Sequence, residues 1–391
     1  MKVVCVFGTR PEIIKMAPIL WEARKRSQID LVTIHTGQHY DPSMSLNFIE
    51  EFGLEMPNYN LGVGSASPAR QIAETIQKLE DVLVKERPNV VVVQGDTNTA
   101  PAASIVARSL GIPLCHVEAG LRSLNERSWE EVNRRIASAC ALYHFAPTEL
   151  AKSMLLQEGI DGARVFVTGN TVVDVVARVL PTLRTPEFFD ELPSRKSVLV
   201  TIHRTENTDS GENLLGILDA IESISATCNV IMPLHPRTRK RLGELGRLEP
   251  LCSMEGVRVT GPLDYLSFMC ILASVDLVVT DSGGVQEEAA ILGKPTVTTR
   301  LSTPRWETVL SGNNHLAKAE KESILRAFNR ALEGQDRRDR TEASIFGEPG
   351  AGRRIVDILL DLGSSGKLEY PAPDFVGKTR EEIIARLGRS S

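Results

Sequence analysis

Short apolar runs recur along the whole chain, separated by polar or helical segments. Most of them are continuous rather than alternating, which indicates strands buried on both faces of a parallel sheet. The first series covers 2–7, 31–35, 90–94, 112–117 and 165–168, and the second covers 198–202, 230–234, 257–260, 277–280 and 296–299. Because helical patterns lie between the runs, the sequence predicts an α/β fold with two doubly wound, Rossmann-like parallel sheets.

Two helices have clear starting signals. Pro11 begins one of them directly after the first strand, and Ser67-Pro68 supplies a cap residue and a first-turn proline for the other. The second helix carries an apolar stripe at Ile72, Ile76, Leu79 and Leu83. Both patterns are typical of helices that pack on a sheet.

The chain has 391 residues, too many for a single hydrophobic core. Polar, proline-bearing sequence at 181–196 precedes the second series of strands. We therefore predict a first domain over 1–170, a second domain over 171–370 and a C-terminal helix within 371–391.

Composition excludes several classes of protein. The net charge of −5 argues against a general nucleic-acid binder, although it leaves room for a local basic pocket. No apolar run reaches the length of a membrane span, so no membrane partner is expected. The six cysteines contain no Cys-x-x-Cys pair, and the seven histidines lack zinc-type spacing. We expect reduced thiols, a cytoplasmic location and no metal.

Acidic and histidine side chains lie on short polar islands between apolar runs. Asp96 and Glu118 each follow a predicted strand, Glu130 begins a helical pattern, and His203 follows the first strand of the second series. Ligands bind at the carboxyl ends of strands in open parallel sheets. Several carboxylates at such an edge suggest proton transfer on a small molecule.

Each of these side chains also has a purely structural interpretation. Asp96 could cap a turn, and Glu118 could pair with Arg122 rather than act chemically. Ser128 and Glu131 have capping-box spacing, which would leave Glu130 free. His203 and His235 end neighbouring strands beside arginines, so they indicate either an anion pocket or ordinary structural histidines.

Two glycine-bearing turns are candidate anion sites. Gly8-Thr9-Arg10-Pro11-Glu12 follows the first strand, and Asp281-Ser282-Gly283-Gly284 follows the strand at 277–280. Free N–H groups at a helix start can bind a diphosphate, and Glu288 lies one turn further on, where it could accept from ribose hydroxyls. A plain strand-to-helix turn at Gly8 and a simple helix cap at Asp281 or Ser282 would explain the same residues without a ligand.

Taken together, the motifs resemble those of the non-hydrolysing UDP-N-acetylglucosamine 2-epimerases. They are Gly8-Thr9-Arg10-Pro11-Glu12, Thr36-Gly37-Gln38-His39, Gly95-Asp96-Thr97, His116-Val117-Glu118-Ala119-Gly120-Leu121-Arg122, Thr168-Gly169-Asn170-Thr171, His203-Arg204 and Asp281-Ser282-Gly283-Gly284-Val285-Gln286-Glu287-Glu288. The resemblance implies a two-domain GT-B architecture with the active site in the interdomain cleft, and a C-terminal helix that returns to the first domain.

The resemblance also implies site residues. The catalytic set matches Asp96, Glu118, Glu130 and His203, and the UDP-binding set matches Arg10, Lys15, Ser282, Gly283, Gly284, Glu288 and Arg305. A looser match to an allosteric substrate site covers Gln38, His39, Arg70 and His235. A UDP-sugar substrate, no cofactor and a homodimer are implied as well.

Two tryptophans depart from the family pattern, at Trp129 before Glu130 and at Trp306 after Arg305. Both lie near the expected sugar or diphosphate pocket, which keeps open a modified substrate such as a UDP-diacetamido-uronic acid. A hydrolysing epimerase, a glycosyltransferase of the same architecture and a non-catalytic nucleotide-sugar sensor are competing hypotheses. The three carboxylates argue against the sensor.

Overall fold

The computed structural model describes residues 1–37, 49–335, 345–373 and 375–387. Contacts within the chain divide it into two compact units. The first unit comprises Met1–Val175 and Phe346–Ser391, and the second unit comprises Val176–Ile345.

The first unit contains a parallel sheet with the strand order β3-β2-β1-β4-β5-β6-β7. Its strands are β1 (Lys2–Phe7), β2 (Asp30–His35), β3 (Tyr59–Asn60), β4 (Val90–Gln94), β5 (Leu114–Val117), β6 (Tyr143–Ala146) and β7 (Val165–Val167). Its helices before the second unit are α1 (Arg10–Arg24), α2 (Pro68–Glu86), α3 (Thr99–Ser109), α4 (Trp129–Cys140), α5 (Glu149–Gln157) and α6 (Thr171–Val179), within which the unit boundary falls.

The second unit has a parallel sheet with the order β10-β9-β8-β11-β12-β13. Its strands are β8 (Ser197–Thr201), β9 (Asn229–Pro233), β10 (Val257–Thr260), β11 (Leu277–Thr280), β12 (Thr296–Thr298) and β13 (Asn314–Leu316). Its helices are α7 (Thr205–Thr208), α8 (Gly211–Ser225), α9 (Pro236–Glu244), α10 (Leu248–Cys252), α11 (Tyr265–Ser274), α12 (Gly283–Ile291), α13 (Trp306–Leu310) and α14 (Lys321–Gln335).

Both sheets confirm the predicted doubly wound α/β class, and the ten predicted runs all form strands whose ends differ by at most two residues. The pattern of apolar runs did not predict β3, β6 and β13. The first of these has two residues, and the other two include His144 and Asn314, so none is a continuous apolar run. Their place in the sheets depends on pairing with neighbouring strands rather than on local hydrophobicity.

Helix α2 begins at Pro68 after Ser67, as predicted, but its buried stripe is rotated. Gln71 and Thr75 are buried on the same face as Leu79 and Leu83, whereas the two isoleucines of the predicted stripe are only partly buried. Burial is tolerated because Gln71 donates to the Gly64 carbonyl at 2.8 Å and the Thr75 hydroxyl donates within its own helix.

The chain returns to the first unit at Phe346, so 346–370 pack there rather than in the second domain to which we assigned them. The returning helix is α15 (Ala351–Ser364), and a Cβ placed on its Gly352 would lie 2.6 Å from the Pro18 carbonyl carbon in α1. Asp174 accepts from the N–H groups of Gly350 and Ala351. The final helix, α16 (Arg380–Leu387), is exposed over 380–382 and at Ile384, so the buried return lies earlier than the predicted 371–391.

The described helices and the cysteine side chains bear on the membrane and thiol predictions. Among the residues that it describes, no helix combines the length and apolarity that crossing a bilayer requires. All six cysteines are free thiols, and Cys5 and Cys115 are buried in their strands as expected.

Candidate active site

The first unit gathers its candidate side chains at one edge of its sheet. Strands β1, β4 and β5 are adjacent and parallel, so the segments that follow them leave from the same edge. These segments carry the Gly8–Thr9 turn, Asp96 and Glu118 respectively. Successive connections from β1 and β4 turn in opposite directions here, which is the position where doubly wound sheets bind ligands.

Glu118 has the most constrained environment in this group. Its side chain is 6% exposed, and its carboxylate accepts from Lys15 Nζ at 2.5 Å and from Gln94 Nε2 at 2.6 Å. Its φ of 62° places a non-glycine residue in the left-handed region, which is uncommon and concentrates at functional sites. Lys15 is therefore an ionic partner of Glu118, while Arg122, the partner considered from the sequence, forms an ion pair with Glu158.

Asp96 belongs to a second ionic cluster. Arg134, which is buried in α4, donates to Asp96 through Nη2 and to Glu131 through Nη1. The Glu131 carboxylate also accepts from the backbone N–H and the hydroxyl of Ser123, each at 2.8 Å. A buried guanidinium therefore links the carboxylates of Asp96 and Glu131.

The capping-box interpretation of Ser128 and Glu131 is wrong. Ser128 is the N-cap of α4 but makes no side-chain cap hydrogen bond, because the Glu131 side chain is directed to Ser123 and Arg134. Glu130 lies in the first turn and accepts from the Ser128 hydroxyl at 2.7 Å. Trp129 is 43% exposed, and its indole donates to Asn98.

Glu12 is a buried residue whose importance the sequence reading missed. Its carboxylate accepts from the Gly8 N–H at 3.0 Å and from the Thr9 hydroxyl at 2.8 Å, and burial raises its pKa to about 7. The Gly8 N–H is thereby used inside the turn, which weakens the anion-site interpretation of that segment. Thr9 is the N-cap and Glu12 the third helical residue, so capping-box spacing was the available signal.

Glu12→Gln is expected to change the pH dependence of stability. A folded-state pKa of about 7 against a usual value near 4.5 means that the folded protein retains this proton while the unfolded chain releases it. Between these pH values the free energy of unfolding of the wild type should fall relative to Glu12→Gln, by about 1.4 kcal/mol per pH unit. Urea unfolding of both proteins from pH 4.5 to 7.5 measures this, and a pH-independent difference would contradict it.

The second unit places its candidates at the corresponding edge of its own sheet. Strands β9, β8 and β11 are adjacent and parallel, and they are followed by His235, His203 and Asp281 respectively. Asp281 is fully buried, and its carboxylate accepts from the backbone N–H groups of His203 and Arg204 and from the Asn207 amide. Asp281 therefore fixes the start of the segment that carries His203.

The His203 ring lies between a carboxylate and a second imidazole. Its Nδ1 is 3.4 Å from Asp281 Oδ1, and its centroid is 5.5 Å from that of His235. Burial lowers the pKa of His203, and Asp281 opposes that effect while nearby arginines reinforce it. His235 is the N-cap of α9, where its Nδ1 accepts from the Arg237 N–H at 3.2 Å.

The start of α12 is the candidate diphosphate site. Ser282 is its N-cap, which agrees with the capping interpretation, and the two glycines that follow have different surroundings. A Cβ on Gly283 would lie 3.1 Å from the Arg305 guanidinium, whereas a Cβ on Gly284 would meet nothing within 4 Å. Arg305 donates to the buried Glu287 at 3.0 Å, so the guanidinium is held beside the helix N-terminus.

The remaining predicted residues that the structure describes lie in three helices. Arg10 is partly buried at the start of α1, Glu288 is buried in α12, and Arg70 is exposed in the first turn of α2. Gln38 and His39 lie outside the described residues. Across the described ranges, no group of three histidine, cysteine or acidic side chains is arranged to hold a metal ion.

Comparison with known proteins gives consistent matches along the chain. A family model described as UDP-N-acetylglucosamine 2-epimerase matches residues 22–360. The UDP-N-acetylglucosamine 2-epimerase of Methanocaldococcus jannaschii is 42% identical and aligns over 92% of this chain and 99% of that protein. The UDP-2,3-diacetamido-2,3-dideoxy-D-glucuronate 2-epimerase of Pseudomonas aeruginosa is 35% identical over 93% of this chain and 100% of that protein.

Solved structures give the same match in three dimensions. The crystal structure of the M. jannaschii enzyme in complex with UDP-GlcNAc and UDP superposes with a TM-score of 0.85, covering 92% of this chain and 100% of that one. The Neisseria meningitidis UDP-GlcNAc 2-epimerase bound to UDP-GlcNAc is 35% identical, with a TM-score of 0.84 over 92% of this chain and 100% of that chain. The two-sheet α/β fold is therefore that of the GT-B-type epimerases.

Proposed function

The chain belongs to the UDP-N-acetylglucosamine 2-epimerase family, and we propose that it interconverts UDP-N-acetylglucosamine and UDP-N-acetylmannosamine by eliminating and re-adding UDP. The proposal rests on family membership together with one arrangement, the carboxylates of Asp96 and Glu118 after adjacent strands at the ligand-binding edge of the first sheet.

Elimination explains why an epimerase of this kind needs both acid–base groups and a diphosphate site. The C2 hydrogen of the sugar is not acidic, since no carbonyl group is attached to C2. When the C1–O bond to UDP breaks, its electron pair leaves with UDP, and the positive charge that develops at C1 acidifies C2–H. Loss of that proton to a base gives 2-acetamidoglucal. Protonation of C2 from the other face and attack of UDP on C1 complete the inversion.

The first unit supplies the proposed proton-transfer groups. We assign this role to Asp96, Glu118 and Glu130, because inversion needs a base on one face of the ring and an acid on the other. Lys15 is proposed to contact the substrate diphosphate together with Arg10. The Lys15 ammonium already lies against Glu118. If it also binds the departing diphosphate, it would lie between that diphosphate and the Glu118 carboxylate and reduce the repulsion between their negative charges.

The second unit supplies the proposed UDP site. The N-terminus of α12 presents the backbone N–H groups of Gly283 and Gly284 after the N-cap Ser282, whose own N–H donates to the Thr280 hydroxyl, and Arg305 adds a positive charge beside them. Preorganised donors of this kind stabilise the charge that develops on the departing diphosphate, and such stabilisation is usually the largest single contribution to lowering the activation free energy. Glu288 is proposed to accept from the ribose, and His203 to assist at the diphosphate end of the substrate.

A second candidate substrate is a UDP-2,3-diacetamido uronic acid. The relative from P. aeruginosa is named for that sugar, and Trp129 here places an exposed indole directly before Glu130.

Incubation with each UDP-sugar in deuterated water, followed by proton NMR, tests the proposal. We expect deuterium at C2 and accumulation of the C2 epimer with UDP-N-acetylglucosamine. Deuterium exchange at C2 that occurs only with the UDP-diacetamido uronic acid would identify the second candidate as the substrate. Stoichiometric release of N-acetylmannosamine and UDP would indicate a hydrolysing epimerase, sugar transfer to an acceptor without C2 exchange would indicate a glycosyltransferase, and binding without reaction would indicate a sensor.

Gly284→Val is expected to weaken UDP binding by roughly tenfold or more, about 1.4 kcal/mol or more. The surroundings of Gly284 are open, so valine should fold normally while occupying the space through which a diphosphate approaches the backbone. Isothermal titration with UDP measures the effect. Gly243→Val is the matched control, because this helical glycine of the same unit also has nothing within 4 Å of an added Cβ. Equal UDP affinity of the two folded variants would contradict the assignment.

A further inference from the structure

The turn that carries Asp96 is held by two side-chain hydrogen bonds. The Gly95 carbonyl accepts from His116 Nε2 at 2.8 Å, and the Asp96 carbonyl accepts from Asn133 Nδ2 at 2.9 Å. The side-chain direction of Asp96 depends on the peptide planes on either side of it. Contacts that fix those planes therefore determine where its carboxylate lies.

Gly95 makes this turn dependent on outside support. Its φ of 70° lies in the left-handed region, and no heavy atom lies within 4 Å of the position that a Cβ would occupy. Glycine is the most conformationally permissive residue, so the backbone before Asp96 has little stiffness of its own. The hydrogen bond from His116 to the Gly95 carbonyl supplies a constraint that the sequence of the turn does not.

The chemistry of His116 is fixed by its surroundings. A carbonyl oxygen only accepts hydrogen bonds, so the Nε2 of His116 carries the proton. The residue is fully buried, and burial lowers its pKa to about 4, which leaves the ring neutral at physiological pH. Within the described part of the chain, its Nδ1 has no hydrogen-bond partner. The hydrogen bond of this buried imidazole is therefore made to the turn that carries Asp96.

His144 provides an internal comparison. It lies opposite His116 on the adjacent strand β6, and it is almost fully buried with an Nδ1 that likewise lacks a hydrogen-bond partner among the described residues. Burial also lowers the pKa of His144, to about 3. The two histidines share their chemical type, sheet and burial, and the contact with the Asp96 turn distinguishes His116.

We propose that His116 is a positioning residue for the epimerisation, which holds the Asp96 carboxylate in its reactive orientation through the Gly95 carbonyl. This inference rests on the proposed proton-transfer role of Asp96. A misplaced acid–base group should lower kcat, because a shift of about 1 Å can reduce the rate by 10²-fold. UDP affinity should change little, because His116 hydrogen-bonds to the Gly95 carbonyl and not to any of the proposed UDP-binding residues.

The experiment compares His116→Gln, His116→Asn, His116→Leu and the matched control His144→Leu with the wild type. Glutamine can place an amide N–H close to the position of Nε2, whereas asparagine is one methylene too short to reach the Gly95 carbonyl. We measure kcat and KM for UDP-N-acetylglucosamine epimerisation, C2 deuterium exchange, UDP affinity and the urea unfolding midpoint. Comparison of the two amide variants keeps the test valid even if His116→Leu does not fold.

We expect kcat to fall by roughly tenfold to 10²-fold in His116→Leu and His116→Asn. The KM and UDP affinity should be nearly unchanged, His116→Gln should recover most of the loss, and His144→Leu should lose stability without a comparable loss of kcat. Equal losses of kcat for His116→Leu and His144→Leu, or for His116→Gln and His116→Asn, would overturn the inference and leave His116 as a core residue. A wild-type protein without C2 exchange would instead overturn the proposed function itself.

Discussion

Glu118→Gln is expected to lower turnover by roughly 10²-fold or more, the usual scale for loss of acid–base catalysis. Glutamine has the same shape, but its amide cannot accept or release a proton under these conditions. Asp96→Asn and Glu130→Gln should have effects of the same order. UDP affinity should change much less for Asp96→Asn and Glu130→Gln, since most of the proposed UDP-binding residues are in the second unit and Lys15 pairs with Glu118 rather than with these two acids. Steady-state kinetics and C2 deuterium exchange measure the loss.

Glu118→Gln also removes the carboxylate that pairs with the buried Lys15. Breaking a buried ion pair by removing one partner costs about 3–5 kcal/mol, so the unfolding midpoint must be measured beside the kinetics. Glu118→Gln in combination with Lys15→Met removes both charges and separates the two effects. Lys15→Met alone is the reference, because Lys15 is itself a proposed diphosphate contact. If the double variant regains stability but is far less active than Lys15→Met, the carboxylate has a chemical role. Recovery of full turnover would show that Glu118 is only the ionic partner of Lys15.

Glu130 and Glu131 can be separated in the same way. Glu131→Gln should mainly destabilise the protein, because it weakens the contacts with Ser123 and Arg134, whereas Glu130→Gln should lower kcat in a protein of nearly normal stability. Full activity of Glu130→Gln would remove that residue from the proposed proton-transfer set.

Gly120→Ala is expected to destabilise the first unit severely, by about 2–5 kcal/mol. Its φ of 87° is unfavourable for any residue with a side chain, which costs about 1–2 kcal/mol. In addition, an added Cβ would lie 2.1 Å from the Ala151 carbonyl oxygen in α5, and overpacking of this kind adds about 1–3 kcal/mol. The Glu118 segment would have to move away from α5. Urea unfolding and soluble yield measure the effect.

Gly111→Ala is the matched control for this prediction. Gly111 has a φ of 71° and nothing within 4 Å of an added Cβ, so its substitution introduces the backbone strain without the steric conflict. We expect a loss of only about 1–2 kcal/mol there. Equal destabilisation of the two variants would mean that the steric conflict with the Ala151 carbonyl in α5 does not contribute to the loss of stability.

Local sequence was sufficient for most of the fold. Continuous valine-rich runs such as Val90–Gln94 form strands, because they can be buried on both faces. The pattern was insufficient for Tyr143–Ala146, since a run that contains a histidine is recognised as a buried strand only through its neighbours on either side. The return of the chain at Phe346 was missed for a similar reason, because it depends on the fit between Gly352 and Pro18 rather than on composition.

The sequence by itself determined the α/β class, the positions of Asp96 and Glu118 at strand ends and the order of motifs that identifies the family, because each of these is a property of consecutive residues. Only the tertiary structure decided the partners of the acids. Lys15 reaches Glu118 across 103 residues, and Arg134 reaches Asp96 across 38. The first pairing requires β1, β4 and β5 to be neighbours, the second requires only β4 and β5, and that strand order follows from the packing of the whole sheet. Closeness in sequence suggested Arg122 as a partner for Glu118, but the distance between side chains depends on that packing.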